Sequence, residues 1–124
     1  MWLCFNDAFV SAVQDKDDPD RLCVRARKRE HLERLFPGHE ILTPPTRDYA
    51  YRVFVSKKEF ADLLATRIGD IDYTNFKNSV RDGPLHQLYV DFWELHHRYQ
   101  RVGDRSRHLS WGPGDIEIDD DYGS

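Results

Sequence analysis

Apolar residues fall in short alternating bursts over the first 55 positions and in helical stripes after them. "WLCF" (2–5) and "FVSAV" (9–13) are parted by Asn6, Asp7 and Ala8, which predicts a β-hairpin with a three-residue loop. "QDKDDPD" (14–20) reads as an acidic connection. Leu22, Val24 and Ala26 then alternate with Cys23, Arg25 and Arg27, the two-residue period of a strand. That strand passes into a helix in which Leu32, Leu35 and Phe36 follow helical spacing, and Pro37-Gly38 ends it. "HEILT" (39–43) predicts a short strand and "PPTRD" (44–48) a rigid loop. Residues 49–55 predict the longest strand, with Tyr49, Tyr51, Val53 and Val55 opposed to Ala50, Arg52 and Phe54.

Helical signals dominate the rest. Ser56 and Glu59 form a capping box that opens a helix with Phe60, Leu63, Leu64 and Ile68 inward and Gly69 as its stop. Asp72 can cap a shorter helix carrying Tyr73, Phe76 and Val80. Asp82-Gly83-Pro84 starts the longest helix, whose apolar stripe is Leu85, Leu88, Phe92, Leu95 and Tyr99. Beyond Gln100 the pattern stops. Residues 1–101 therefore read as a single α+β domain, and 102–124 as a polar, acidic, poorly ordered tail.

The fold class expected is α+β, a four- to five-stranded, mainly antiparallel sheet plus C-terminal helices. Residues 22–68 give the order βαββα, ferredoxin-like but for a missing last strand. The N-terminal hairpin can take that edge, a permuted ferredoxin-like arrangement. Tyr49–Val55 then lies beside Leu22–Ala26, and Arg25 and Arg52 share the face turned away from the two helices that follow their strands.

Charge sharpens this picture. The chain has 124 residues and a net charge of −4, unevenly spread. Residues 1–20 hold one lysine against five aspartates, 21–60 ten basic against five acidic residues, and 61–124 seven against twelve. A basic middle between acidic ends suits an anionic partner or internal salt bridging. No run approaches the roughly 18 apolar residues of a membrane span. The N-terminus lacks the basic start of a secretory signal, and Cys4 and Cys23 show no C-x-x-C spacing. A cytoplasmic protein with two reduced thiols and no membrane partner is expected.

The candidate site is the arginine-bearing face: Arg25, Arg27, Arg52 and Phe54, with Lys57 and Lys58 at the rim. Guanidinium forks suit carboxylate and phosphate alike. A protein partner is the first reading and nucleic acid or nucleotide the alternative, although no "KGFGFV"-like segment is present. A purely structural reading also stands, in which the long helix covers the face and Asp91 or Glu94 meets the arginines. The same helix offers a route to a homodimer.

Enzymatic and metal chemistry find little support. Glu94 and His97 make one Glu-x-x-His pair, where a di-iron bundle needs two and further glutamates. His31, His39, His86 and His108 give no zinc spacing, and His96 stands on another face of the helix. Cys23 has no adjacent histidine, and there is no Gly-rich phosphate loop, G-x-S-x-G or H-E-x-x-H. No catalytic residue, metal or cofactor is expected. "DIEIDDDY" (115–122) reads either as an acidic linear motif or as a solubilising tail that can fold back on the basic patch.

The segments "MWL", "DPDRLCVRAR", "ERLFP", "DYAYRVFV" and "IDYTNFKNSV" make the first hundred residues similar to a small family of uncharacterised proteins of bacteria and their phages. The resemblance carries no catalytic signature. It implies a setting in which small acidic proteins bind and block a host protein, and hence an inhibitor of a bacterial defence or toxin system.

Overall fold

The computed structural model describes residues 1–45 and 48–105, with the side chains of 103–105 excepted. Two compact units divide the chain, Met1–Asp72 and Tyr73–Ser124. The first holds a four-stranded antiparallel sheet in the order β1-β2-β3-β4, with β1 Trp2–Cys4, β2 Phe9–Asp15, β3 Asp18–Ala26 and β4 Tyr51–Ser56. Helix α1 (Arg29–Leu35) joins β3 to β4, and α2 (Lys57–Gly69) follows β4. With α3 (Gly83–Arg105) in the second unit, the protein is α+β with three helices among the described residues.

The expected alternation sets the core. Val10, Ala12, Val24, Ala26, Val53 and Val55 project to one face and are buried with Leu32, Leu35 and Phe36 from and just after α1 and Phe60 from α2. Leu3, Leu22, Tyr51, Leu63 and Leu64 pack around them. Burial of the valine, leucine and phenylalanine side chains among them, each contributing about 1.5–3 kcal/mol, is what holds the two helices to the sheet. Ser56 caps α2 by accepting from the Glu59 N–H at 3.0 Å. Gly38, at φ +87°, turns the chain after α1.

Polar ties fix what the core leaves loose. Arg67 of α2 grips Asp7 in the β1–β2 loop through two bonds, 2.8 and 3.1 Å, and Arg34 of α1 donates to the Asp7 carbonyl at 2.7 Å. Buried His31 accepts from the Phe9 N–H at 3.2 Å, pinning α1 to β2.

Several expectations are corrected. Segment 14–20 is mostly strand: β2 and β3 run through it to a tight turn at Lys16-Asp17. The register shift between Gln14 and Asp15 leaves Pro19 and Asp20 without ladder partners, which is how a strand tolerates a proline. "HEILT" gives one bridge, Leu42 to Arg52, because the His39 N–H is committed to the Phe36 carbonyl at 3.1 Å. β3, not residues 49–55, is the longest strand. Ile68 is 67% exposed rather than inward, and Gly69 ends α2 from within while Asp70 caps it.

In the second unit, the helix expected after Asp72 is a single 3-10 turn, Lys77–Ser79. Asp82 caps α3 by accepting from the Leu85 N–H at 3.1 Å. Helix α3 continues past Gln100 to Arg105, and among its residues with described side chains Leu85, Tyr89 and Val102 are buried, while Leu95 and Tyr99 are exposed. Tyr89 takes the inward place, with the Phe76 ring tilted against it at 5.0 Å between centroids. No helix among the described residues is long and apolar enough to cross a membrane. The motif at 115–122 and His108 lie outside the described residues.

Candidate arginine face

The second face of the sheet is built from the same alternation read one residue out of step. A row of partners crosses all four strands: Trp2, Ser11, Arg25, Arg52. A second row holds Val13, Cys23 and Phe54. The expected placement of Arg25 beside Arg52, on the face opposite the two helices, is what the register gives.

That pairing is close. The backbone N–H and carbonyl of Arg52 both bond to Leu42 (3.0 and 2.8 Å), so they point away from β3. Arg25 and Arg52 are therefore a non-hydrogen-bonded pair, the kind in which Cα atoms stand about 4.5 Å apart and side chains come nearest. Like charges in direct opposition are destabilising.

The partners of the two guanidinium groups are neutral. Arg25 donates from Nη2 to the Ser11 hydroxyl at 2.9 Å, and Arg52 from Nη1 to the Cys23 sulfur at 3.7 Å. The Nε atoms of both are buried with no hydrogen-bond partner. A buried donor left unmet costs about 1–3 kcal/mol. Other arginines of this unit are treated differently. Arg21 meets Asp15 at 2.6 Å, Arg27 meets Asp48 at 3.0 Å, Arg29 meets Glu33 at 3.4 Å and Arg67 meets Asp7. Neither Arg25 nor Arg52 makes an ion pair among the described residues.

Aromatic rings complete the face. Phe54 lies under the Arg21 guanidinium, 4.7 Å from ring centroid to Cζ. Tyr49 is clamped between Arg25 at 4.6 Å and Arg27 at 4.1 Å. Each such contact contributes about 0.5–2 kcal/mol. This corrects the expectation that Tyr49 faces the core. The chain bends over residues 48–50 before β4 begins, so alternation does not reach Tyr49, whereas Tyr51 does pack on the core.

Electrostatics follow from these contacts. Hydrogen bonding and charge from Arg27 hold the Asp48 carboxyl below the usual carboxylate range, with Arg25 adding at longer range. The Asp17 N–H, followed by Arg21, holds Asp15 low against its own burial. Burial pushes the Cys23 thiol up more than Arg52 and Arg25 pull it down, so it is a poor nucleophile.

Of the expected site residues, Arg25, Arg52 and Phe54 fall together and Arg27 joins them through Tyr49. Lys57 donates to Gln14 at 3.3 Å, while Lys58 pairs with Asp62 one turn along α2 at 2.8 Å. Sequence reading missed Arg21, Tyr49, Asp15 and Ser11. Arg21 had a signal, since it is two residues before Cys23 in the same alternation. Ser11 had one too, opposite Trp2 in the hairpin.

The described histidines are engaged singly. His39 meets Glu59 at 2.6 Å, His86 donates from Nδ1 to the Lys77 carbonyl at 2.9 Å, and His97 stacks on Trp93. Among the described residues no three His, Cys, Asp or Glu side chains gather as a metal site. Comparison with family models, with curated proteins and with solved structures gave no match.

Proposed function

We propose that this protein is a non-enzymatic interaction module that binds a protein partner through the arginine face. Arg25, Arg27, Arg52 and Phe54 form the contact, and Lys57 and Lys58 the rim. The observation that carries this reading is the cross-strand opposition of Arg25 and Arg52 without an acidic partner among the described residues. A protein that spends stability on two facing, unneutralised guanidinium groups gains it back when an anionic partner arrives. Arginine and aromatic residues are the usual anchors of interfaces, and rim lysines chiefly tune encounter rate.

The similarity to small bacterial and phage proteins suggests the partner's context, an intracellular bacterial defence or toxin protein that this module inhibits. The fold is in keeping with a permuted ferredoxin-like arrangement, in which the N-terminal hairpin fills the edge left by the missing last strand of a βαββα unit and the Leu42 bridge stands for the short strand before β4. Nucleic acid is the weaker reading. An RNA-binding sheet stacks bases on exposed rings, and here guanidinium groups already lie over Tyr49 and Phe54.

The test is affinity capture from nuclease-treated and untreated bacterial lysate, comparing the native protein with a folded Arg25→Glu/Arg52→Glu variant. A protein that survives nuclease and is lost with the variant is the expected outcome. Partners lost on nuclease treatment would favour nucleic acid, as would binding that falls linearly in log salt. A double variant that cannot fold would make the arginines structural and sink the proposal.

A further inference from the structure

We infer that Arg25 and Arg52 jointly seat a single carboxylate, the Asp or Glu side chain of an acidic segment on the partner protein. This rests on reading the arginine face as the binding surface and specifies what the partner must bring to it.

The donors are placed for one anion rather than two. Ser11 fixes Arg25 through Nη2, and Cys23 fixes Arg52 through Nη1, so each group is oriented by a neutral neighbour that leaves its charge intact. Tyr49 braces Arg25 from the side, which lowers the ordering cost of holding a long side chain ready. The guanidinium groups of two directly opposed, half-buried residues stand over the same stretch of sheet; their unmet Nε–H groups are themselves buried, which leaves the Nη groups as the donors a partner meets. One carboxylate has two oxygens and about four lone-pair sites, enough to serve both forks. Its negative charge also cancels the repulsion between them.

Neighbouring arginines define the boundary of the seat. Arg21 and Arg27 flank it, and each is already neutralised by its own aspartate. Asp48 and Asp15 accept hydrogen bonds from Arg27 and Arg21, and Asp48 reaches Arg25 only through space. The seat is thus specific to position: a second acidic group arriving at Arg21 or Arg27 must displace a carboxylate already there.

Arginine Nε–H resonances of the full-length protein give a direct test. Hexaglutamate is titrated at fixed ionic strength, with hexaglutamine and an oligothymidine of matched charge as controls. The expected result is saturable movement of the Arg25 and Arg52 Nε–H signals with hexaglutamate, none with hexaglutamine, and little at Arg21 and Arg27. Arg52→Gln should weaken hexaglutamate binding by about tenfold or more while melting at or above the native temperature, since it removes a repulsion. Static signals at Arg25 and Arg52, or an unchanged affinity in Arg52→Gln, would overturn the inference. Movement with oligothymidine alone would also overturn it, by assigning the seat to phosphate. Capture of a nuclease-resistant protein partner alongside static Nε–H signals would reject the seat and leave the interaction module standing. Moving Nε–H signals with no captured protein would reject the protein-binding module, and with it a partner's carboxylate as the occupant of the seat.

Discussion

The two faces of this sheet use the same backbone for opposite ends. On one, valine and alanine from three adjacent strands meet Leu32, Leu35 and Phe60, and every group finds a partner of its own kind. On the other, one residue out of step along the same strands, Arg25 faces Arg52 and two Nε–H groups go unmet. Strand alternation is indifferent to this difference; it delivers both faces with equal accuracy. What separates them is whether the side chains satisfy each other. The helix-bearing face is self-sufficient, whereas the arginine face leaves two buried Nε–H donors unmet among the described residues.

The contrast is sharpest if stability is measured on both sides of it. Leu32→Ala, at a position with no exposed surface, should cost about 2–5 kcal/mol in urea unfolding, because it leaves a cavity that α1 cannot collapse into. Arg67→Met should cost about 1 kcal/mol or less, since its pair with Asp7 is partly exposed and the aliphatic stem can still lie near Phe5. Arg52→Gln should change stability by no more than about 0.5 kcal/mol, and in the favourable direction. A loss from Arg52→Gln as large as that from Leu32→Ala would erase the distinction between the faces.

Acid titration probes the arginine face from its rim. Asp15 and Asp48 have carboxyl groups lowered in the folded state relative to an ordinary value of 3.8. Each therefore contributes stability that is present above pH 3.8 and is lost as pH falls through the depressed folded value. Asp15→Asn and Asp48→Asn should each flatten the acid limb of the unfolding curve while leaving it unchanged near neutrality in shape. An acid limb identical in both variants and native protein would show that these pairs form in the unfolded chain as well.

Much of this was legible from pattern alone, and the failures have physical causes. Both alternating strands, the Ser56 cap and the adjacency of β3 to β4 follow from period and connection length. The face shared by Arg25 and Arg52 follows as well, because register parity is set by the apolar partners Val24 and Val53. Tyr49 escaped because a bend at residues 48–50 cancels parity, and nothing in the residue types announces a bend there. The "QDKDDPD" segment looked like a loop because its composition is that of one; backbone pairing with its neighbours overrode composition, and the bulge absorbed Pro19. His31 entered the sequence reading only as a histidine without zinc spacing, because its acceptor role toward Phe9 comes from a distant strand. Long-range side-chain pairing has no signature at short range.

The Asp7–Arg67 grip has a consequence in time as well as in energy. Its two residues are 60 apart in sequence, one in the first hairpin loop and the other near the end of α2. The hairpins β1–β2 and β2–β3 are local and can form early, whereas closing a chain segment of this length is entropically expensive until the intervening elements are in place. On that ground the grip is expected late in assembly. Arg67→Met should therefore chiefly speed unfolding and leave the refolding rate nearly unchanged, which stopped-flow traces in urea would read directly.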